Sequence, residues 1–164
     1  MEQKSITLKR GQVKGIYEYF ASQLQQEGKT AEFSYFIYKN AETLAQEYAN
    51  IVNTIYDENR DIKYKTFMQE NQELLIKYAD RDEQGNPITT NVGGFKITEQ
   101  IAEYKQESQK QFDDNKAMLE EREQKIQESV QFLEVPLEFS LLVMPITKFP
   151  DKTAPSIVGL FGVC

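Results

Sequence analysis

Carboxylates are the residues in this chain whose spacing comes nearest to chemistry. Asp57, Glu58 and Asp61 fall within one turn of a helix, and Asp113, Asp114, Glu120, Glu121 and Glu123 crowd a later helical stretch. Two carboxylates from each of two facing helices could hold divalent iron or manganese. Helical sites of that kind also place a histidine three residues after a glutamate, and the chain contains no histidine. We therefore expect no metal and no cofactor, and we read these acids as solvating polar helix faces. A carboxylate pair working as acid and base needs an enclosed cleft, whereas these acids lie on the polar sides of amphipathic helices.

Nucleophilic catalysis is equally poorly supplied. A Ser or Cys triad requires a base that histidine usually provides. No G-x-S-x-G elbow, G-x-x-x-x-G-K-[ST] loop or G-x-G-x-x-G run occurs. Val92-Gly93-Gly94-Phe95 lacks the Lys and Ser that would make it a phosphate loop and reads as a turn. Cys164 is the only cysteine, which points to a reducing, intracellular setting. The expectation is a protein with no catalytic residues.

Aromatic residues offer a different kind of site. Phe33, Tyr35, Phe36 and Tyr38 place four rings in six residues. At helical spacing Phe33, Phe36 and Ile37 share one face, while Tyr35 and Tyr38 fall to its side. The run either packs against Tyr17, Tyr19 and Phe20 or presents its tyrosines to a partner, since Tyr has an apolar body and a polar tip. Tyr35 and Tyr38, with Tyr104 and Phe112 from the later helix, form the candidate partner surface.

These residues need elements to position them. At 164 residues the chain has the length of one domain, and its 40% apolar content suffices for a core without disulfide or metal. Ile6 and Leu8 alternate with polar neighbours, giving a short strand over Ser5 to Leu8. Val13, Ile16, Tyr17, Phe20 and Leu24 predict a helix over Gly11 to Gln25, ended by Gly28. From Thr30 to Ala79 there is neither proline nor glycine. The seam Ile37, Ala41, Leu44, Tyr48, Ile51, Ile55 and Ile62 steps by four and three, the spacing of a helix that packs along another. Unbroken, that element would be on the order of 75 Å long, with Asp57 to Lys63 as its weakest part and a place for a kink. After Ile62 the seam slips to Phe67, Leu74 and Tyr78.

Turn formers then cluster from Asp80 to Gly94, predicting a β-like tip at 80–97. Thr98 is the expected N-cap of a second long helix reaching Glu134. Its middle, Gln106 to Glu123, is polar, so a wide face must remain exposed to water or a partner. Leu137, Phe139, Leu141 and Val143 alternate with Glu138, Ser140 and Leu142 up to Met144, a strand that Pro145 ends or confines to an edge. Thr153 is expected to cap a short helix over Pro155 to Phe161. The fold class is thus mainly α with a small β component: one domain, 1–164. Its base, 1–30 and 135–164, carries a short two-stranded sheet, and 31–134 form a long antiparallel helical hairpin.

The order of features resembles a family of small proteins encoded by tailed bacteriophages and prophages. The resemblance is carried by the opening Ile6-Thr7-Leu8-Lys9-Arg10-Gly11-Gln12-Val13, by Phe36-Ile37-Tyr38-Lys39-Asn40, and by the helix end and turn Leu75-Ile76-Lys77-Tyr78-Ala79-Asp80-Arg81-Asp82-Glu83-Gln84-Gly85-Asn86. The closing strand and helix complete it. Lys29-Thr30-Ala31 departs from the Leu-Pro step of that family, which brings no established activity with it. The resemblance implies phage origin and a location in the host cytoplasm or on the virion.

Charge narrows the partner. With 26 acidic and 19 basic residues the net charge is -7, and repulsion from phosphates disfavours direct binding of nucleic acid. No stretch is long and apolar enough for a membrane span. The expected function is that of a phage accessory protein binding a protein partner, of phage or host, through its helical hairpin, with homo-oligomerisation an option. The alternatives are an acidic decoy that inhibits a host defence system, and a minor virion or connector component.

Overall fold

The computed structural model describes residues 1–163, which leaves Cys164, one of the nucleophile options, outside the described residues. The chain is mainly helical with a small sheet and divides into two compact units, 1–55 with 127–164, and 56–126. Helices α1 (Arg10–Leu24), α2 (Ala31–Thr54), α3 (Ile62–Tyr78), α4 (Ile101–Glu134) and α5 (Pro155–Phe161) accompany strands β1 (Glu2–Lys9), β2 (Pro136–Pro145) and β3 (Gly162–Val163). The sheet has a third strand beyond the two expected. Its order is β1-β2-β3, with β1 antiparallel and β3 parallel to β2.

The first unit holds the main core. β1 pairs with β2 from Glu2↔Val143 to Lys9↔Pro136 without interruption. Alternation sends Leu8, Leu141 and Val143 into the core while Gln3, Ser5, Glu138 and Ser140 stay exposed. Against that face pack Val13, Ile16 and Phe20 of α1 and Phe33, Phe36, Ile37, Ala41, Leu44 and Ile51 of α2. Phenylalanines dominate the centre. Phe36 meets Phe20, Phe149 and Phe161 edge-on, at centroid separations of 5.8, 5.6 and 5.7 Å, a geometry worth about 0.5–1.5 kcal/mol per pair beyond burial. Tyr17 and Tyr48 stack at 4.1 Å.

Local chemistry fixes the ends of these helices. Lys9 gives its backbone N–H to Gln12 Oε1 (2.9 Å), and Arg10 N–H extends the ladder to Val135 O (3.1 Å). The Arg10 side chain lies over the Phe132 ring at 4.1 Å and donates to Glu47 Oε1 at 2.6 Å, binding α1, α2 and the end of α4. Thr30 caps α2 by accepting from Phe33 N–H. Gly28, between α1 and α2, has φ 82°, a left-handed conformation that favours glycine.

The stretch 30–79 is two helices, not one rod. α2 ends at Thr54, a 3₁₀ turn occupies Glu58–Arg60, and α3 starts at Ile62. The break falls in the segment read as weakest, and it is held open by competing caps. Asp57 accepts from Asn59 N–H at 2.9 Å and Asp61 from Tyr64 N–H at 3.0 Å, which satisfies amides that a continuous helix would bond to its own carbonyls. Ile62, the last residue of the expected seam, is accordingly 76% exposed.

In the second unit α3 and the first part of α4 run antiparallel. Tyr78 and Lys77 meet Tyr104 and Glu107, Glu70 meets Gln111, and Tyr64 meets Arg122. Buried side chains here are few: Phe67, Leu74 and Ala79. The tip between these helices contains isolated bridges, Arg81↔Pro87 and Thr89↔Phe95, with Gly85 and Gly93 both at φ 84°. Thr98 does not cap α4. Its hydroxyl and N–H go instead to Asp80, at 2.6 and 2.9 Å, and so tie the two ends of the tip together. Thr153 likewise does not cap α5, whose N-cap is Ala154 without a side-chain bond.

Candidate functional site

The aromatic run on α2 separates by residue type. Phe33, Phe36 and Ile37 are buried, while Tyr35 and Tyr38 are each 51% exposed. Helical geometry forces the split, because a face wide enough for residues 33, 36, 37, 40, 41 and 44 leaves 35 and 38 on the flank. Lys39 stands over the Tyr38 ring at 5.7 Å and donates to Glu42 at 2.7 Å. That bond to Glu42, together with its charge, raises the Lys39 pKa. Beside Tyr35 and Lys39 lies a polar recess of about 240 Å³, also lined by Asn40, Thr43, Gln3 and Ser140.

Asn40 forms the wall of this recess and is 1% exposed. Its amide accepts from Leu142 N–H at 2.8 Å and donates to Leu142 C=O at 3.1 Å. The side chain thus does for β2 at Leu142 what a neighbouring strand would do, and β3 takes over at Met144. In the sequence Asn40 stands out only as the end of Phe36-Ile37-Tyr38-Lys39-Asn40. The signal lay in its position, a polar side chain three residues after Ile37 on the buried face of α2.

Tyr104 and Phe112 of the candidate surface belong to the second unit. Tyr104 is half-buried, its ring 6.1 Å from that of Tyr78, whereas Phe112 is about half exposed. Nearby, α3 and α4 part to leave a cleft of about 600 Å³ lined by charged residues of both helices, among them Glu70, Lys77, Glu107 and Lys110. Lys77 and Tyr78 both donate to Glu107, at 2.7 and 2.5 Å, and hold its pKa below the usual range.

A second assembly escaped the sequence reading. The Arg122 guanidinium lies 3.9 Å from the centroid of the Tyr64 ring and donates to Tyr56 Oη (3.0 Å) and Glu58 Oε2 (3.2 Å). Tyr56 in turn donates to Asp61 at 3.1 Å. The N–H of Tyr64, more than any other contact, lowers the Asp61 pKa, and burial raises that of Tyr56. Asp57, Glu58 and Asp61 are therefore engaged in two caps, by Asp57 and Asp61, and two ion pairs, Asp57 with Arg60 and Glu58 with Arg122. Among the described residues no three His, Cys, Asp or Glu side chains converge as metal ligands, and no helix is long and apolar enough to cross a membrane.

The chain matches no family model, no curated protein and no solved structure among those compared.

Proposed function

We propose that this is a non-enzymatic accessory protein of a tailed bacteriophage that binds a protein partner through exposed aromatic helix faces, the Tyr35–Tyr38 flank of α2 foremost. The observation that carries the reading is the division of one aromatic run into buried phenylalanines and half-exposed tyrosines. Tyrosine ordered on a rigid helix offers a large contact area at low entropic cost, and it is enriched where binding energy concentrates. Phage origin rests on the resemblance of the sequence motifs.

The reading as an acidic decoy is less well supported. A decoy needs an extended stripe of unopposed carboxylates, yet Glu107, Glu120, Glu121 and Glu58 each stand within ion-pair distance of a Lys or Arg.

The test compares tagged wild-type protein with the Tyr35→Ser/Tyr38→Ser double variant in infected cells, reading recovered proteins by crosslinking mass spectrometry. Removing two half-exposed tyrosines from a helix flank should alter stability by about 1 kcal/mol in total, at about 0.5 kcal/mol per surface site, while recovery of the partner falls at least tenfold. Equal recovery by both proteins refutes the assignment of the flank, and recovery of no partner by either refutes the binding function.

A further inference from the structure

The two edges of the sheet are treated differently by the fold. In an antiparallel pair, residues alternate between those bonded to the neighbouring strand and those whose N–H and C=O face away. Leu142 gives both groups to Asn40, so it faces away from β1, and so does its register partner Gln3. Arg10 N–H bonds Val135, which fixes the even-numbered residues of β1 as the inward set. Gln3, Ser5 and Thr7 therefore point their backbone groups out of the sheet. On β2 the equivalent edge is capped by Asn40 and β3; on β1 it is open. Natural edges are blunted by shortness, proline, bulges or charged side chains. β1 carries Glu2, Lys4 and Lys9, but it is eight residues long, has no proline and keeps an unbroken register, and its outward backbone groups belong to the uncharged Gln3, Ser5 and Thr7.

We propose that this edge is a self-association site, at which two copies of the chain pair antiparallel about Ser5 into one continuous sheet. A second copy fits because the edge complements itself in a single register. Pairing must set outward residues opposite outward residues. Centring on Lys4 opposes two lysines, and centring on Ile6 requires the Lys9 N–H already given to Gln12. Centring on Gln3 carries Thr7 past the end of β1 at Glu2. Centring on Ser5 sets Gln3 opposite Thr7 and Ser5 opposite Ser5, uses every free outward group in about six main-chain hydrogen bonds, and places Lys4 opposite Ile6 rather than a like charge. The interface is small, so association is reversible and concentration-dependent. It rests on the sheet edge alone and is independent of the tyrosine flank.

Sedimentation equilibrium of the full chain tests it. The mass should rise from 19.1 kDa toward twice that value with concentration. Ser5→Pro removes an N–H that β1–β2 pairing does not use and should hold the protein at the monomer mass with an unchanged circular dichroism spectrum. Register is read independently of that variant's folding. With Cys164→Ser as background, Ser5→Cys should form a disulfide-linked dimer, because residues directly opposite stand about 5.5 Å apart at Cα. Gln3→Cys should crosslink with Thr7→Cys and not with itself. A wild-type protein that stays monomeric at every concentration overturns the proposal. So does a folded Ser5→Pro variant that dimerises normally, or Gln3→Cys self-crosslinking as fast as Ser5→Cys.

Discussion

Replacing Asn40 with alanine should be among the most damaging single changes in the first unit. Asn40 is buried, and its amide is the partner of both the N–H and the C=O of Leu142. Truncation strands two backbone groups at about 1–3 kcal/mol each when water is excluded. Leu142 is only partly buried, so the lower half of that range applies, and the total is about 2–4 kcal/mol. For a chain of this length the melting temperature should fall by about 4–16 °C, at about 2–4 °C per kcal/mol. Asn40→Asp sharpens the test. An ionised carboxylate keeps the acceptor for Leu142 N–H but faces Leu142 C=O without a proton, so burial raises its folded pKa above the unfolded value. The penalty relative to wild type at the same pH should then grow as pH rises through the unfolded value and shrink toward pH 4, where the protonated acid can donate. Urea titrations of the three proteins at pH 4 and pH 7 measure this. An Asn40→Ala protein within about 0.5 kcal/mol of wild type, or an Asn40→Asp penalty independent of pH, refutes the strand-capping role.

Other expectations follow from single contacts. At Gly162 an added Cβ would lie 2.5 Å from Val158 O and 2.8 Å from Ile146 Cγ1; Gly162→Ala should cost about 1–3 kcal/mol by chemical denaturation, and an unchanged midpoint would contradict the packing around β3. Arg122→Ala removes a cation over Tyr64 and the bonds to Tyr56 and Glu58, and it should destabilise by about 1–3 kcal/mol. Limited proteolysis should then cut first near the 3₁₀ turn at Glu58–Arg60, and wild-type resistance there would count against the hub. The Asp80 pKa is depressed, chiefly by the hydroxyl and N–H of Thr98. Because the folded value lies below the unfolded value of about 3.9, its contribution is complete above that value and lost as pH falls through the folded one. Asp80→Asn should loosen the tip at neutral pH and leave that loosening flat between pH 5 and 2 by amide NMR; a wild-type acid midpoint in the variant would refute this.

Periodic elements could be read from the chain because their signals repeat. Val13, Ile16 and Phe20 mark α1, Leu137 to Val143 mark β2, and Ile37 to Ile51 mark the buried face of α2, each through several side chains that agree. Single-residue decisions were less legible. Thr98 and Thr153 have the right chemistry for N-caps, but the Thr98 hydroxyl is claimed by Asp80, eighteen residues away, and the N-cap position of α5 falls on Ala154, one residue beyond Thr153. The interruption at 55–61 depends on Asp57 and Asp61 turning their carboxylates onto nearby amides, a choice that a heptad count does not register. β3 has only two residues and owes its existence to the exposed edge of β2. On the candidate surface the split between Phe and Tyr followed from helical angles, whereas the pairing of Tyr104 with Tyr78 required knowing how α3 and α4 align.

The tip at 79–100 closes upon itself. Asp80, the backbone bonds of Ile88 and Lys96, and the turns at Gly85 and Gly93 tie it, while Val92 at its apex is 93% exposed. Extra residues spliced in beside Val92 would lengthen a loop whose ends are already fastened, at a closure cost of about 0.6 kcal/mol per doubling. That apex is where a fluorophore or affinity peptide can be carried while both helices stay as they are.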